Sequence, residues 1–314
     1  MARVLKCEMA APILITGGSG QLAVALEAAA LPRGLLVRRV GRPLLDFDRP
    51  TSVAEVFAET APWLVVNAAA YTAVDSAEDK ADAAFRANRD GPAALAHECQ
   101  AAGVPLIHVS TDYVFDGRKG APYVETDRTA PQGVYGMSKL AGERAVADGC
   151  RRSIVLRTSW VYSATGKNFV RTMLSAAQRT GQLRVVADQI GCPTSASDLA
   201  QAILGIADRL AADGWRDRYA GVYHVAGTGW TSWHGLATAT FAAAACYGIA
   251  IPIVDAITTD QWPTRAARPP DSRLDCGKLA AVFGLRLPPW QEGLARTIDT
   301  IYASAAITSL QTAG

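Results

Sequence analysis

Ile13-Leu-Ile-Thr-Gly-Gly-Ser-Gly-Gln-Leu-Ala23 is the stretch on which the fold turns. A short β-branched run enters a glycine-rich turn and leaves it as a helix-forming segment. Gly17 permits the tight turn, Gly20 lets a pyrophosphate approach the backbone, and Ala23 is small enough for the helix to pack on a sheet. Free N–H groups at the helix start, here those of Gln21 and Leu22, would face the anion at the positive end of the helix dipole. The same letters could serve an ordinary strand-to-helix turn. Their place on the first strand of the chain favours the phosphate-binding reading.

Working outward, further short runs are apolar on both faces: Leu35–Val40, Leu64–Asn67, Pro105–Ser110 and Ile154–Thr158. Such runs suit a parallel sheet covered by helices on both sides, because every side chain is then buried. Helices fit between them at Gln21–Leu31, Thr51–Thr60, Asp79–Ala102 and Tyr135–Ala147. The pattern predicts an α/β fold with a doubly wound, Rossmann-like parallel sheet. Beyond Trp160 the alternation loosens, and helices at Asn168–Thr180, Ser197–Ala211 and Ser232–Tyr247 are joined by longer connections. We therefore expect a dinucleotide-binding domain over residues 10–165 and a smaller mixed α/β substrate region over 166–314, with segments returning to the first domain.

The whole chain, 314 residues with 31 Lys+Arg against 29 Asp+Glu, has both signs interspersed. That balance argues against a nucleic-acid groove or a polybasic membrane anchor. Six widely spaced cysteines carry no C-x-x-C pair and read as reduced thiols, and the four histidines have no zinc-like spacing, so no metal is expected. Residues 1–10 lack periodicity and read as a disordered start, or Met9 as the working initiator; Glu8 and the early Gly17-Gly18 argue against a signal peptide. No apolar run approaches the roughly 20 residues that span a bilayer. Cytoplasmic location is the default, and self-association stays open.

After the second strand comes Gly41-Arg42 instead of an acidic residue. A carboxylate there would bind a free ribose 2′-hydroxyl, whereas an arginine can meet a 2′-phosphate, so NADPH is favoured, with NADH the alternative. Asp46 and Phe47 could border the adenine, or Asp48 could cap the next helix with Phe47 packed beneath it. The small residues of Asn67-Ala-Ala-Ala70, with Ala68 and Ala69 at their centre, would let an extended ligand lie close to the backbone.

Tyr135-Gly-Met-Ser-Lys139 places a phenol and an ammonium on one helix face. A cation there would stabilise phenolate and make Tyr135 a usable acid or base. Thr111 ends the fourth strand at the carboxyl edge of the sheet, where it could hydrogen-bond the substrate oxygen that Tyr135 protonates. Trp160 could supply an apolar wall, Asn168 an amide and Arg268 a diphosphate contact, each with an ordinary structural alternative.

Taken with Asn67-Ala-Ala-Ala-Tyr-Thr-Ala-Val-Asp75, Ser110-Thr-Asp-Tyr-Val-Phe-Asp-Gly117, Val134-Tyr-Gly-Met-Ser-Lys-Leu-Ala-Gly-Glu143, Arg157-Thr-Ser-Trp-Val-Tyr162, Asp188-Gln-Ile-Gly-Cys-Pro-Thr194 and Arg268-Pro-Pro-Asp-Ser-Arg-Leu-Asp275, these motifs resemble the extended, sugar-nucleotide type of the short-chain dehydrogenase/reductase superfamily. Within it they resemble the dTDP-4-dehydrorhamnose reductase family, from Ile13 to about Leu294. The resemblance implies a catalytic set of Thr111, Tyr135 and Lys139, with Tyr135 and Lys139 also touching the cofactor beside Gly17, Gly20, Gln21, Leu22, Arg42, Asp46, Phe47, Ala68, Ala69 and Tyr71. It implies a dTDP-sugar held by Val74, Asp112, Trp160, Asn168 and Arg268, and reduction of its 4-keto group to dTDP-L-rhamnose.

Other readings share these residues. A 4,6-dehydratase would need an acidic pair after Thr111, and Tyr113 follows Asp112 instead. Another nucleotide-sugar 4-ketoreductase, a 4-epimerase, or a non-catalytic subunit that retains the nucleotide site would carry the same loop and the same Tyr/Lys pair.

Overall fold

A computed structural model of the protein describes residues 11–49 and 51–312, with 304–312 described as backbone only. The readings placed on residues 1–10 lie outside the described residues. In chain order the strands are β1 (Ile13–Thr16), β2 (Val37–Val40), β3 (Leu64–Asn67), β4 (Leu106–Thr111), β5 (Ser153–Thr158), β6 (Val161–Tyr162), β7 (Gln182–Val186), β8 (Ile190–Gly191), β9 (Thr194–Ser195), β10 (Gly221–His224), β11 (Thr231–Ser232) and β12 (Ile253–Ile257).

Six of these form one parallel sheet in the order β10-β5-β4-β3-β1-β2. Residues of β1, β3 and β5 are buried throughout, and alternate side chains feed two cores. Ile13, Ile15, Leu64, Val66, Ile154 and Leu156 pack on one face under the helices Gln21–Ala30 and Ala196–Asp213. Leu14, Val65, Leu106 and Val155 pack on the other, under Thr51–Thr60, Gly91–Ala102 and Val134–Gly149. The period-2 alternation of a strand thus fills both layers, which is why no polar stripe was visible in the sequence.

The sheet reverses direction of build between β1 and β3. The loops leaving these two strands diverge there, and the crevice that opens at their carboxyl ends is the standard place for a ligand in this architecture.

Two elements depart from the sequence expectation. The helix expected over 79–102 is broken into Val74–Asp79, Ala81–Phe85, a π-turn at Arg86–Asp90 and Gly91–Ala102. Lys80 leaves helical geometry (φ −126°, ψ 47°), and Pro92 in the first turn of the last segment has no N–H to continue an earlier ladder. The π-turn turns Asn88 inward, where it receives the Tyr71 N–H and donates to the Tyr71 carbonyl and the Ser138 hydroxyl. The sixth strand, β10, was not anticipated. It comes from the carboxyl-terminal half and pairs with β5, and the helix Ala196–Asp213 from the same half covers the first core.

Candidate active site

Gly17 has φ +108°, and a side chain on it would press a Cβ to 2.9 Å from the Ala68 carbonyl oxygen. Only a glycine lets the loop after β1 lie against the loop after β3. Gly18 and Gly41 touch backbone to backbone in the same way, since a Cβ on Gly41 would lie 2.6 Å from the Gly18 Cα. Arg39 pins this corner by donating to the Gly18 carbonyl at 2.6 Å while pairing with Glu27. Gly20 is the N-cap of the helix Gln21–Ala30, with no side-chain cap and no acidic residue in the first turn. The positive end of that helix is therefore left for an anion, and the cradle fits a dinucleotide pyrophosphate.

The crevice above these loops is a cavity of about 880 Å³. Its wall includes the expected Gly17, Gly20, Gln21, Leu22, Arg42, Phe47, Ala68, Ala69, Tyr71, Val74, Thr111, Asp112, Tyr135, Lys139 and Trp160. Three expected contacts lie off it. Asn168 caps the helix Phe169–Ala177 through Arg171 N–H and donates to Gln21 Oε1 at 2.9 Å. Arg268 donates to Asp75 at 2.7 Å, because the chain from 265 to 268 is strapped onto the short helix Val74–Asp79. The Asp46 carboxylate turns back on Arg42 and the Asp48 N–H. Arg42 at the cavity rim pairs with both Asp46 and Asp48, and Asp48 is shared with Arg86 instead of capping a helix. Phe47 lies on Gly91.

At the carboxyl ends of β1, β3 and β4 a buried polar row closes the floor. Thr16 donates to Asn67 at 2.6 Å, and the Asn67 amide meets His108 at 2.9 Å. Burial, reinforced by the charge of Lys139, keeps the His108 pKa well below its usual value, so the ring is neutral.

Tyr135 and Lys139 project from the helix Val134–Gly149 toward the end of β4. The expected depression of the phenol by the lysine is not what the structure gives. Burial pushes Tyr135 up to about 12, and the nearby Thr111 hydroxyl acts in the opposite direction. Lys139 instead donates to the Val109 carbonyl at 2.7 Å, and burial draws its own pKa down to about 8. Desolvation is the largest influence on both groups. The phenol is therefore a neutral proton donor, and the lysine keeps its charge at neutral pH.

The Thr111 hydroxyl donates to Asp112 at 3.0 Å. Asp112 is buried, which pushes its carboxyl up to about 6 despite nearby hydroxyls of Ser272, Thr111 and Ser159. Tyr113 stands edge-on to the Tyr135 ring at 5.5 Å and steadies it.

Two groups escaped the sequence reading. Beneath Lys139, one helical turn on, Glu143 accepts from Ser110 at 2.5 Å and is gripped by Arg157 through two bonds of 2.9 and 2.7 Å, all buried. Ser110 precedes Thr111, so one strand end anchors both the lysine helix and the hydroxyl. Only the spacing Lys139 to Glu143 hinted at this. The second group is Trp233, whose ring lies parallel to Trp160 with centroids 3.5 Å apart. Nothing in local spacing links residues 160 and 233.

Compared with known proteins, the chain matches a family model described as RmlD substrate binding domain over residues 11–303. It is 46% identical over 287 residues to a dTDP-4-dehydrorhamnose reductase of Sinorhizobium fredii, covering 91% of this chain and 96% of that protein. A crystal structure of a dTDP-4-dehydrorhamnose reductase from Clostridium acetobutylicum superposes with a TM-score of 0.85 at 35% identity, covering 93% and 99% of the two chains. One from Bacillus anthracis in complex with NADP gives 0.84 at 34% identity, covering 92% and 99%.

Proposed function

The chain belongs to the RmlD substrate binding domain family, and from that premise we propose how its residues carry out the reaction. It catalyses the NAD(P)H-dependent reduction of the 4-keto group of dTDP-4-dehydro-L-rhamnose to dTDP-L-rhamnose, with NADPH as cofactor and NADH as the alternative. When bound, the nicotinamide supplies the hydride.

The observation that carries the assignment of roles is the Tyr135 phenol, protonated at neutral pH and facing the cavity together with Thr111 at the carboxyl edge of β4. Reduction of a ketone places negative charge on its oxygen, and a phenol held protonated is the acid that reaction needs. Tyr135 gives its proton to that oxygen, and the Thr111 hydroxyl on the same cavity wall can hydrogen-bond the same oxygen. Lys139 supplies a positive charge on the same helix face, held by Val109 and backed by Glu143. Gly17, Gly20 and the open helix start receive the pyrophosphate, and Arg42 at the rim receives a 2′-phosphate if one is present. Val74, Asp112 and Trp160 line the part of the cavity that takes the sugar, and dTDP-sugar recognition belongs to this reading.

Among the described residues no helix is long and apolar enough to cross a membrane. A cytoplasmic location completes the reading, because both the reduced cofactor and the nucleotide sugar are intracellular metabolites.

A coupled assay tests the reaction. dTDP-glucose with the preceding dehydratase and epimerase, this protein and NADPH should lose absorbance as dTDP-L-rhamnose forms in equal amount. Tightly retained cofactor with no net NADPH loss would instead mark an epimerase.

A further inference from the structure

Trp160 has φ +47°, one of two non-glycine residues with positive φ among the described residues. A bulky side chain adopts this conformation only when its surroundings hold it there, and such residues gather at ligand sites. Two neighbours hold it. Trp233 stacks on the indole with centroids 3.5 Å apart and planes 5° from parallel. Gly191 lies against the same ring so closely that a methyl built on it would overlap the indole. Gly191 has no positive φ. It is needed for space alone.

These contacts are themselves fixed. Strands β8 and β11 pair antiparallel with Gly191 opposite Thr231, which brings Trp233, two residues on, to the same ring. The Trp233 indole N–H donates to Gln189 Oε1 at 3.1 Å, and the Gln189 amide donates to Thr259 at 3.1 Å. Thr259 in turn donates to Asp188 at 2.7 Å. Phe169 leans on Trp233 at 4.7 Å. Both indoles reach the cavity wall. Thr158 is the register partner of Thr111, so Trp160 stands two residues past the strand position beside the reacting hydroxyls.

We propose that Trp233 is a positioning residue of the sugar pocket: by stacking on Trp160 it holds that indole in a left-handed backbone conformation as the rigid apolar wall for a 6-deoxyhexose. This rests on the reading that Trp160 meets the sugar. A 6-deoxyhexose presents a methyl group where most hexoses carry a hydroxyl, and a flat, immobile apolar surface gains contact with that methyl without ordering a side chain on binding. Trp233 acts through Trp160, so its removal should loosen the sugar and leave the dinucleotide untouched.

Calorimetric titration of the whole protein with dTDP-L-rhamnose, and separately with NADPH, reads this directly. Trp233→Leu should weaken dTDP-L-rhamnose about tenfold, leave NADPH within about twofold, and lower kcat in the coupled assay by no more than about threefold. Trp233→Phe should restore most of the affinity. Gly191→Ala, whose methyl would overlap the same ring, should reproduce the loss, so the test survives if Trp233→Leu melts early. In a Trp160→Leu background Trp233→Leu should cost less than about twofold more, because the ring it positions is gone. Unchanged dTDP-L-rhamnose affinity in Trp233→Leu, or losses that multiply in the double variant, would overturn the positioning role. A parent protein that neither binds dTDP-L-rhamnose nor oxidises NADPH in the coupled assay would bring down the proposed function, and this inference with it.

Discussion

The two ends of the cavity are built by opposite means. The dinucleotide end is made of backbone: Gly17 against Ala68, Gly18 against Gly41, and a helix start with no side-chain cap. Its parts come from the loops after three neighbouring strands, β1, β2 and β3. The end we assign to the sugar is made of side chains, Trp160, Trp233 and Asp112, assembled from the ends of β4, β5 and β11 with β8 and the 270s loop against them, which are remote in sequence. A backbone cradle recognises what all dinucleotides share, a pyrophosphate, and tolerates no side chain. A side-chain wall can be changed residue by residue, and that is where relatives of one fold choose different sugars.

The largest effect is expected where the two ends meet. Tyr135→Phe removes the proposed proton donor while keeping the ring against Tyr113, so turnover should fall by about 10² to 10⁴-fold with NADPH affinity nearly unchanged. Steady-state rates and calorimetry check this, and unchanged turnover would remove the phenol from the mechanism. Next, Gly17→Ala attacks the backbone end. At φ +108° with the Ala68 carbonyl in the way, one methyl should cost about 3 kcal/mol of stability and abolish tight NADPH binding. Urea melts give the first figure. A stable variant with normal affinity would show that the loops need not touch.

Asp112→Asn tests the side-chain end through pH. The folded carboxyl titrates at about 6 against an ordinary 3.8, so it holds its proton more tightly folded than unfolded. That contribution is full below about pH 4 and is lost as the pH rises through 6, by no more than about 3 kcal/mol. The asparagine variant has no such titration, and its stability relative to the parent should therefore rise between pH 4 and pH 7. A constant difference across that range would place the charge of Asp112 in contact with water. The smallest effect belongs to the rim. Arg42→Ala should raise the KM for NADPH about tenfold and leave that for NADH within about twofold, since Arg42 is exposed and already shared with Asp46 and Asp48. Equal changes for both cofactors would end its role in choosing between them.

Legibility followed sequence distance. Ile13–Thr16 and the helix from Gln21 were readable because strand, turn and helix are consecutive and each glycine has a local reason. Tyr135 and Lys139 were readable because four residues make one helical turn. From sequence, Asn168 suits an amide for the ligand or a helix-end group, and Arg268 a diphosphate contact or a surface ion pair; in the structure Asn168 caps a helix start and Arg268 pairs with Asp75, a partner that no spacing announced. The break at Lys80 and the π-turn at Asn88 also passed unseen, since their partners, Tyr71 and Ser138, lie in other elements.

By itself, then, the order of residues determined the parallel α/β framework, the glycine-rich loop after β1 and the placing of Tyr135 and Lys139 on one helix face, because all three rest on periodicities of two and 3.6 residues and on the stereochemistry of glycine. Tertiary structure alone decided the protonation behaviour of Tyr135, Lys139 and Asp112, the grip of Arg157 on Glu143, and the pairing of Trp160 with Trp233. Those depend on how completely water is excluded and on which distant strands lie side by side, and neither quantity exists until the chain has closed on itself.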